Sequence, residues 1–403
     1  MGANPGEGHQ LREGLHRILP DSDRQTTTDK PVAPAPDPDR QRRAREMAAR
    51  TRSLSFLDLF LTLTYLLALL LSGLSQEIAE LVESSLLIEV ALFALIVFGG
   101  FTLVRLPLSY YQGFVLPKRY GLLTQTFRAW LGDALKAALI GAVLSLALVE
   151  GLYLIFDVAP DWWWLIAAGG YLGFTVVLGT LAPVILVPLF FKLQPLEDEV
   201  LLRRLESLAA DAGVRVKSVY VIDLSSKGTM SNAVLMGLGS TRRILIGDTL
   251  LSGYTQEEIE VVIAHELAHH VHRDIPRGIA VSTVLTLLTF AAAYFVLDWG
   301  IDVLDYNGLS DVAGMPLVAL VLGAAGLILR PLENAYSRRV EAAADRYALE
   351  ETRMPGQFIS MMTKLTDQNL SEADPGFLTK VWFYSHPPHA ERVAMAQRYL
   401  AGA

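Results

Sequence analysis

Six long apolar runs leave this chain few folds to choose from. Read as 54–74, 85–106, 134–156, 163–191, 278–299 and 313–331, each comes close to the roughly 20 residues that a helix needs to cross a hydrocarbon core. Lipid offers backbone groups no partners, so runs of this length predict helices, which pair their own N–H and C=O groups. The fourth run holds Pro183 and Pro188, and a kink or an interfacial end is expected there. With 52% of its residues hydrophobic, the chain does not match an ordinary soluble enzyme. The predicted fold class is mainly α, a multi-pass helical membrane protein.

The charged residues orient these spans. Arginines before the first run, the loop with Arg105, Lys118, Arg119 and Arg128, and everything after Lys192 fall on one side. The connections SQEIAELVES, DVAPD and DWGIDVLDYNGLSD carry no Lys or Arg and fall on the other. Basic loops stay in the cytoplasm, so the N-terminus and both long polar segments are expected there, in the inner membrane if the cell is bacterial. Residues 1–53 are polar and proline-bearing and read as a disordered tail. No basic stripe beyond that tail asks for nucleic acid. Asp58, Glu89 and Glu150 stand inside apolar runs; Glu89 and Glu150 line a wet chamber, or these acids pair locally or lie nearer an interface.

Between the spans sits VVIAHELAHHVHRD, residues 261–274. On a helix, residues four apart share a face, so His265 and His269 aim at one point, a zinc half-site. Glu266 lies off that face, close enough to act as general base on a water. Thr255 is a suitable N-cap, with Glu257 and Glu258 in the first turn. His270 and His272 point elsewhere and read as bystanders. The chain lacks cysteine, so any metal is held by His and carboxylate. The surrounding segment 194–277 reads as a small α+β unit: a helix in QPLEDEVLLRRLESLAADAG, a strand in VRVKSVYVIDL, and two more strands in MSNAVLMGLG and RRILIGDTLL joined by a turn at the glycines.

A zinc hydrolase keeps three protein ligands and one open position. Glu341, just after the sixth run, is the third candidate, and Asp345 one turn on can hold the second nitrogen of a liganding histidine. A solvated acidic face is the competing reading of that pair. Ala342, Ala343 and Ala344 would let this helix approach another closely. His386, stiffened by two following prolines, can donate to a developing oxyanion or can be a surface residue. Arg392 can orient the site carboxylates.

With His265-Glu266-Leu267-Ala268-His269, Ser337-Arg338-Arg339-Val340-Glu341, Ala344-Asp345 and Ser385-His386-Pro387-Pro388 in view, the chain from about 54 to 400 resembles the integral-membrane zinc endopeptidases of the CAAX prenyl protease 1 type. The resemblance implies one zinc per chain on His265, His269 and Glu341, Glu266 as catalytic base, Asp345 behind the ligands, and His386 steadying the transition state. It casts Ser231, Asn232 and Ala233 as an edge segment that binds an extended substrate backbone. It also implies a gluzincin-like unit beside an intramembrane chamber, and a peptide or protein substrate, prenylated in the eukaryotic members. Those members typically have seven spans against the six counted here. His389 stands where an apolar residue is expected. The implied organisation is a tail (1–53), four spans (54–193), a catalytic segment (194–277), a membrane hairpin (278–331) and a C-terminal segment completing the site (332–403). The alternatives are a heat-shock-type protease of membrane protein quality control and, from a different class, a non-catalytic scaffold or transporter.

Overall fold

The computed structural model describes residues 34–237 and 242–402. The chain begins with α1 (Pro38–Ser72), α2 (Leu74–Leu81) and α3 (Leu86–Tyr110), which runs through a π-helical turn, Tyr111–Val115, into α4 (Leu116–Tyr120). Then come α5 (Phe127–Val158) and α6 (Trp163–Phe190). The polar unit follows as β1 (Leu193–Pro195), α7 (Glu199–Asp211), β2 (Ser218–Ile222), β3 (Ala233–Met236), β4 (Arg243–Gly247), α8 (Asp248–Gly253) and α9 (Gln256–Val271). The long helices α10 (Asp274–Leu304) and α11 (Met315–Thr352) return through the membrane, and α12 (Pro355–Gln368), α13 (Phe377–Phe383) and α14 (His389–Leu400) close the chain.

Among the described residues, six helices are long and apolar enough to cross a membrane. Each of the six expected runs overlaps one of them. The fourth run continues as one helix to Phe190, so neither of its prolines ends it. Glu89 lies in the first turn of α3, at the end of its span. Asp58 of α1 pairs with Arg105 of α3 at 2.6 Å, and each charge so meets its opposite at membrane depth.

One boundary is corrected. The stretch from Pro38 to residue 53, read as part of a disordered tail, is the first four turns of α1, while residues 1–33 lie outside the described ones. Asp37 caps this helix through bonds from the N–H groups of Asp39 and Arg40, with Pro38 at its first position. Ala44 is fully buried against Leu116, Tyr120, Leu122 and Leu370, and the Gln41 amide donates to Ser371 O at 3.2 Å and accepts from Ala373 N at 3.0 Å. These partners lie far along the chain, where local composition gives no hint of them.

The polar unit carries a four-stranded sheet in the order β1-β2-β4-β3. β2 and β4 run parallel, and β3 is antiparallel to β4, with no strand on its other side among the described residues. The expected strands are present, and the short β1 adds one more. The expected glycine turn between β3 and β4 falls on residues outside the described ones. Against this sheet lies α9, packed on α7, α11 and α12. Fully buried alanines at 264 and 268 of α9 and at 344 and 348 of α11 keep both crossing surfaces small, so the two backbones come close.

Candidate active site

α9 starts with a capping box: the Thr255 hydroxyl accepts from Glu258 N–H, and the Glu258 carboxylate accepts from Thr255 N–H at 2.9 Å. Three turns on, His265 and His269 project from the face that meets α11. Ligating atoms of His265, His269 and Glu341 all lie within 4.8 Å of one another. His265 Nε2 stands 3.1 Å from Glu341 Oε2 and His269 Nε2 3.7 Å from Oε1. The second nitrogens are held as well. His265 Nδ1 bonds Asp345 Oδ1 at 2.9 Å, and His269 Nδ1 bonds Asp274 Oδ2 at 3.0 Å. A carboxylate on Nδ1 keeps the proton there and turns the Nε2 lone pair toward the common point. Two imidazole nitrogens and one carboxylate oxygen, converging with their orientation fixed, fit a tetrahedral metal that has one position left for water. Burial works against a charged His265, but its bonds to Asp345 and Glu341 outweigh that and raise its pKa to about 9, so a metal bound there would displace the Nε2 proton.

Asp345 is fully buried and bonded by Arg392, through Nε at 2.7 Å and also through Nη2. The solvated acidic face is thus ruled out for the Glu341–Asp345 pair, since both side chains are buried. Glu266 points to the sheet, where its Oε2 accepts from Leu235 N–H at 3.3 Å. Burial lifts its carboxyl above the ordinary carboxylate range, partly opposed by the neighbouring imidazoles. His386 Nε2 lies 3.3 Å from Glu341 Oε2, with a side chain 58% exposed, and the Ser385 hydroxyl lies 3.0 Å from its Nδ1. Although its side chain is more than half exposed, the protein flanking the ring strips enough water from it to lower the His386 pKa. His270 accepts from Arg242 Nε at 3.1 Å, and His272 stands edge-on to Tyr347. His389 Nε2 faces the Thr363 hydroxyl at 3.1 Å.

The substrate-edge expectation is revised in part. Ser231 spends its N–H and C=O on the Asn369 side-chain amide, at 3.0 and 3.2 Å. Asn232 O accepts from Gly247 N of β4 and so faces into the sheet. Antiparallel pairing alternates, and this bond puts the backbone groups of Ala233 and Leu235 on the free side of β3. Leu235, Asn369 and Asp274 are the residues that reading the sequence missed. Asp274, five residues after His269, carried a weak signal, whereas Leu235 becomes visible only once the register is known. Beyond the end of β3, Met236, with Leu172, Val176, Gly179, Ile275 and Ile279 of α6 and α10, lines an apolar cavity of about 740 Å³.

A family model described as peptidase family M48 matches residues 195–400, and one described as CAAX prenyl protease N-terminal, five membrane helices, matches residues 23–192. CAAX prenyl protease 1 of Saccharomyces cerevisiae is 31% identical over 312 residues, covering 72% of this chain and 68% of the yeast protein. The chain belongs to peptidase family M48. YhfN, an uncharacterized metalloprotease of Bacillus subtilis, is 28% identical over 82% of this M48 chain and 79% of its own length. The probable CAAX prenyl protease 1 of Schizosaccharomyces pombe is 29% identical over 75% and 64%. The crystal structure of S. mikatae Ste24p shares the fold, with a TM-score of 0.78 at 24% identity over 91% of this chain and 92% of that one. This M48 peptidase is therefore a multi-pass, membrane-embedded metalloendopeptidase. The comparisons do not favour the quality-control reading, and family membership sets aside the non-catalytic scaffold. Where the N-terminal family description has five membrane helices, the described residues up to 192 supply four.

Proposed function

We propose that this peptidase hydrolyses peptide bonds of membrane-associated proteins, prenylated C-terminal segments among them, at one zinc per chain on the cytoplasmic face. The convergence of His265, His269 and Glu341 beside Glu266 carries the reading. A zinc ion on those three side chains would supply Lewis acidity, lowering the pKa of a water from 15.7 toward about 7 and polarising the scissile carbonyl. Glu266 takes the proton of the attacking water and returns it to the leaving amine, a task suited to a carboxyl whose burial has raised its proton affinity. Leu235 N–H steadies that carboxylate. A Ser385 hydroxyl donating to His386 Nδ1 leaves the His386 proton on Nε2, where it can bond the oxygen of a carbonyl becoming tetrahedral. Asp345, with Arg392 behind it, and Asp274 hold the two imidazoles in place. Ala233 offers its free N–H and C=O to an extended substrate, which explains how one site accepts many sequences.

The prenyl preference is supported by the names of the relatives and by the apolar cavity beside Met236. Glu266→Gln is expected to keep its metal and lower kcat about 10²–10⁴-fold. A farnesylated CAAX peptide should be cut faster than its unmodified twin by the purified enzyme. Equal rates would remove the prenyl preference, and more than about a tenth of wild-type turnover in the variant would remove the base.

A further inference from the structure

α13 is amphipathic in the wrong sense for water. Phe377 and Leu378 are 73% and 71% exposed, and Trp382 and Phe383 are 36% and 39% exposed, whereas Thr379, Lys380 and Val381 are half-buried. At about 100° per residue, positions 377, 378, 381 and 382 span roughly 140° of arc, so Phe377, Leu378, Val381 and Trp382 form one continuous side. So dense an apolar patch on so short a helix marks an interaction surface rather than scattered exposed residues.

Its neighbours give its depth. Asn334 Nδ2 of α11 donates to Val381 O at 3.1 Å, and Arg338 Nη1 donates to Lys380 O at 3.0 Å and Tyr384 O at 2.6 Å. Phe383 meets the edge of Phe56 on α1 with centroids 6.3 Å apart, and Arg52 of α1 pairs with Glu372 at 2.6 Å. Residues 52–56 of α1 and 330–338 of α11 are where both helices change from polar to apolar. Aromatic side chains favour that level, where hydrocarbon gives way to headgroups. Phe383, next to Trp382 at the flank of that side, carries the apolar surface on to the exposed Phe56 of a membrane-spanning helix, with Phe60 one turn further; these are 61% and 64% exposed.

We propose that α13 is an interfacial foot, its Phe377–Leu378–Trp382 side seated at the boundary of headgroups and acyl chains, and that it sets the position of His386. The occupant is the bilayer, because the patch is continuous with the lipid-facing surface of α1. The link to His386 is short. Arg338 fastens the Lys380 carbonyl of the foot and that of Tyr384, the Tyr384 hydroxyl faces Glu372 at 3.5 Å, and the Ser385 hydroxyl touches the His386 ring. Bilayer contact thus joins Arg338 and the Arg52–Glu372 pair as a third support of the loop. This second half of the inference rests on His386 acting as proposed above.

The test uses the full-length, zinc-loaded enzyme in phosphatidylcholine nanodiscs. The chain has six tryptophans, so the Trp382 signal is taken as the difference between wild type and Trp382→Phe. Acyl chains brominated near the headgroup should quench Trp382 more than chains brominated near the methyl end, and aqueous iodide should quench it weakly. Iodide quenching without bromolipid quenching overturns the foot. The double variant Phe377→Ser/Leu378→Ser should lose at least about tenfold in kcat on a short soluble peptide, with KM and zinc content unchanged. Added to His386→Ala, the same pair should cost nothing further, because both act through one group. Wild-type kcat in the serine variant, or additive losses, overturns the link. If His386→Ala alone retains full turnover, the assignment of His386 fails, and the bromolipid result still decides the foot.

Discussion

Asp345 carries more of the site than its place behind the ligands suggests. With no exposed surface, it accepts from His265 Nδ1 and from Arg392 at once, and so couples the ring that would bind metal to a buried cation. Asp345→Asn would leave Arg392 without its counter-charge and His265 without a fixed tautomer. The expected outcome is a metal affinity weakened about 10–100-fold, read by chelator competition, with a stability loss of about 3–5 kcal/mol, read by thermal unfolding. An unchanged affinity would show that the tautomer is set by something else. The candidate ligands His265 and His269 were legible because HExxH spacing is a geometric statement about one helix. Asp274 and Leu235 were not, because the first depends on where α10 begins and the second on which side of β3 faces solvent.

At the level of the element, α9 is held at its start by a buried acid. Glu258 is 3% exposed; it accepts from Thr255 N–H at 2.9 Å, from the Ser360 hydroxyl at 2.6 Å and from Lys364 Nζ at 2.7 Å, the last two on α12. Burial alone would raise its pKa, but the bonds from Lys364, Ser360 and Thr255 win, and the folded value lies below 4.5. A depressed acid adds stability that is fully present above the unfolded value and is lost as pH falls through the folded one. The thermal midpoint of the wild type in detergent should therefore drop on acidification below about pH 4.5. Glu258→Gln should start about 1–3 kcal/mol less stable and show a shallower drop over the same range. Parallel curves for the two proteins would mean that another group governs the acid limb. Thr255 and the first-turn acids could be read from the sequence as a helix start, yet the ties from α12, about a hundred residues further along, could not. The same blindness hid the start of α1: Gln41, Ala44 and Arg52 find their partners at 370–373, so a docked helix looked like a tail.

Across the whole molecule, the charge asymmetry and the contacts divide the loops in the same way. The Lys- and Arg-free connections meet each other, with Ser75 of α2 donating to Ala313 O in the turn before α11. At the opposite ends of the spans, Leu123 of the basic loop pairs with Gly228 on the way to β3. A Cβ at Gly228 would lie 2.6 Å from Leu122 O, so the membrane loop and the catalytic sheet approach too closely there for any side chain. These contacts sort the loops into two sets, and we propose, from the cost of moving Lys and Arg across a bilayer, that the basic set, which includes the candidate site, faces the cytoplasm. Because the chain has no cysteine, single introduced thiols can test that assignment cleanly. Asp161→Cys, in an exposed residue between α5 and α6, and Glu206→Cys, exposed on α7, sit in opposite sets. In intact cells a membrane-impermeant maleimide should label position 161 and spare position 206 until the membrane is opened. The reverse pattern would put the protease site on the outer face, and with it exclude any substrate that is prenylated and retained in the cytoplasm.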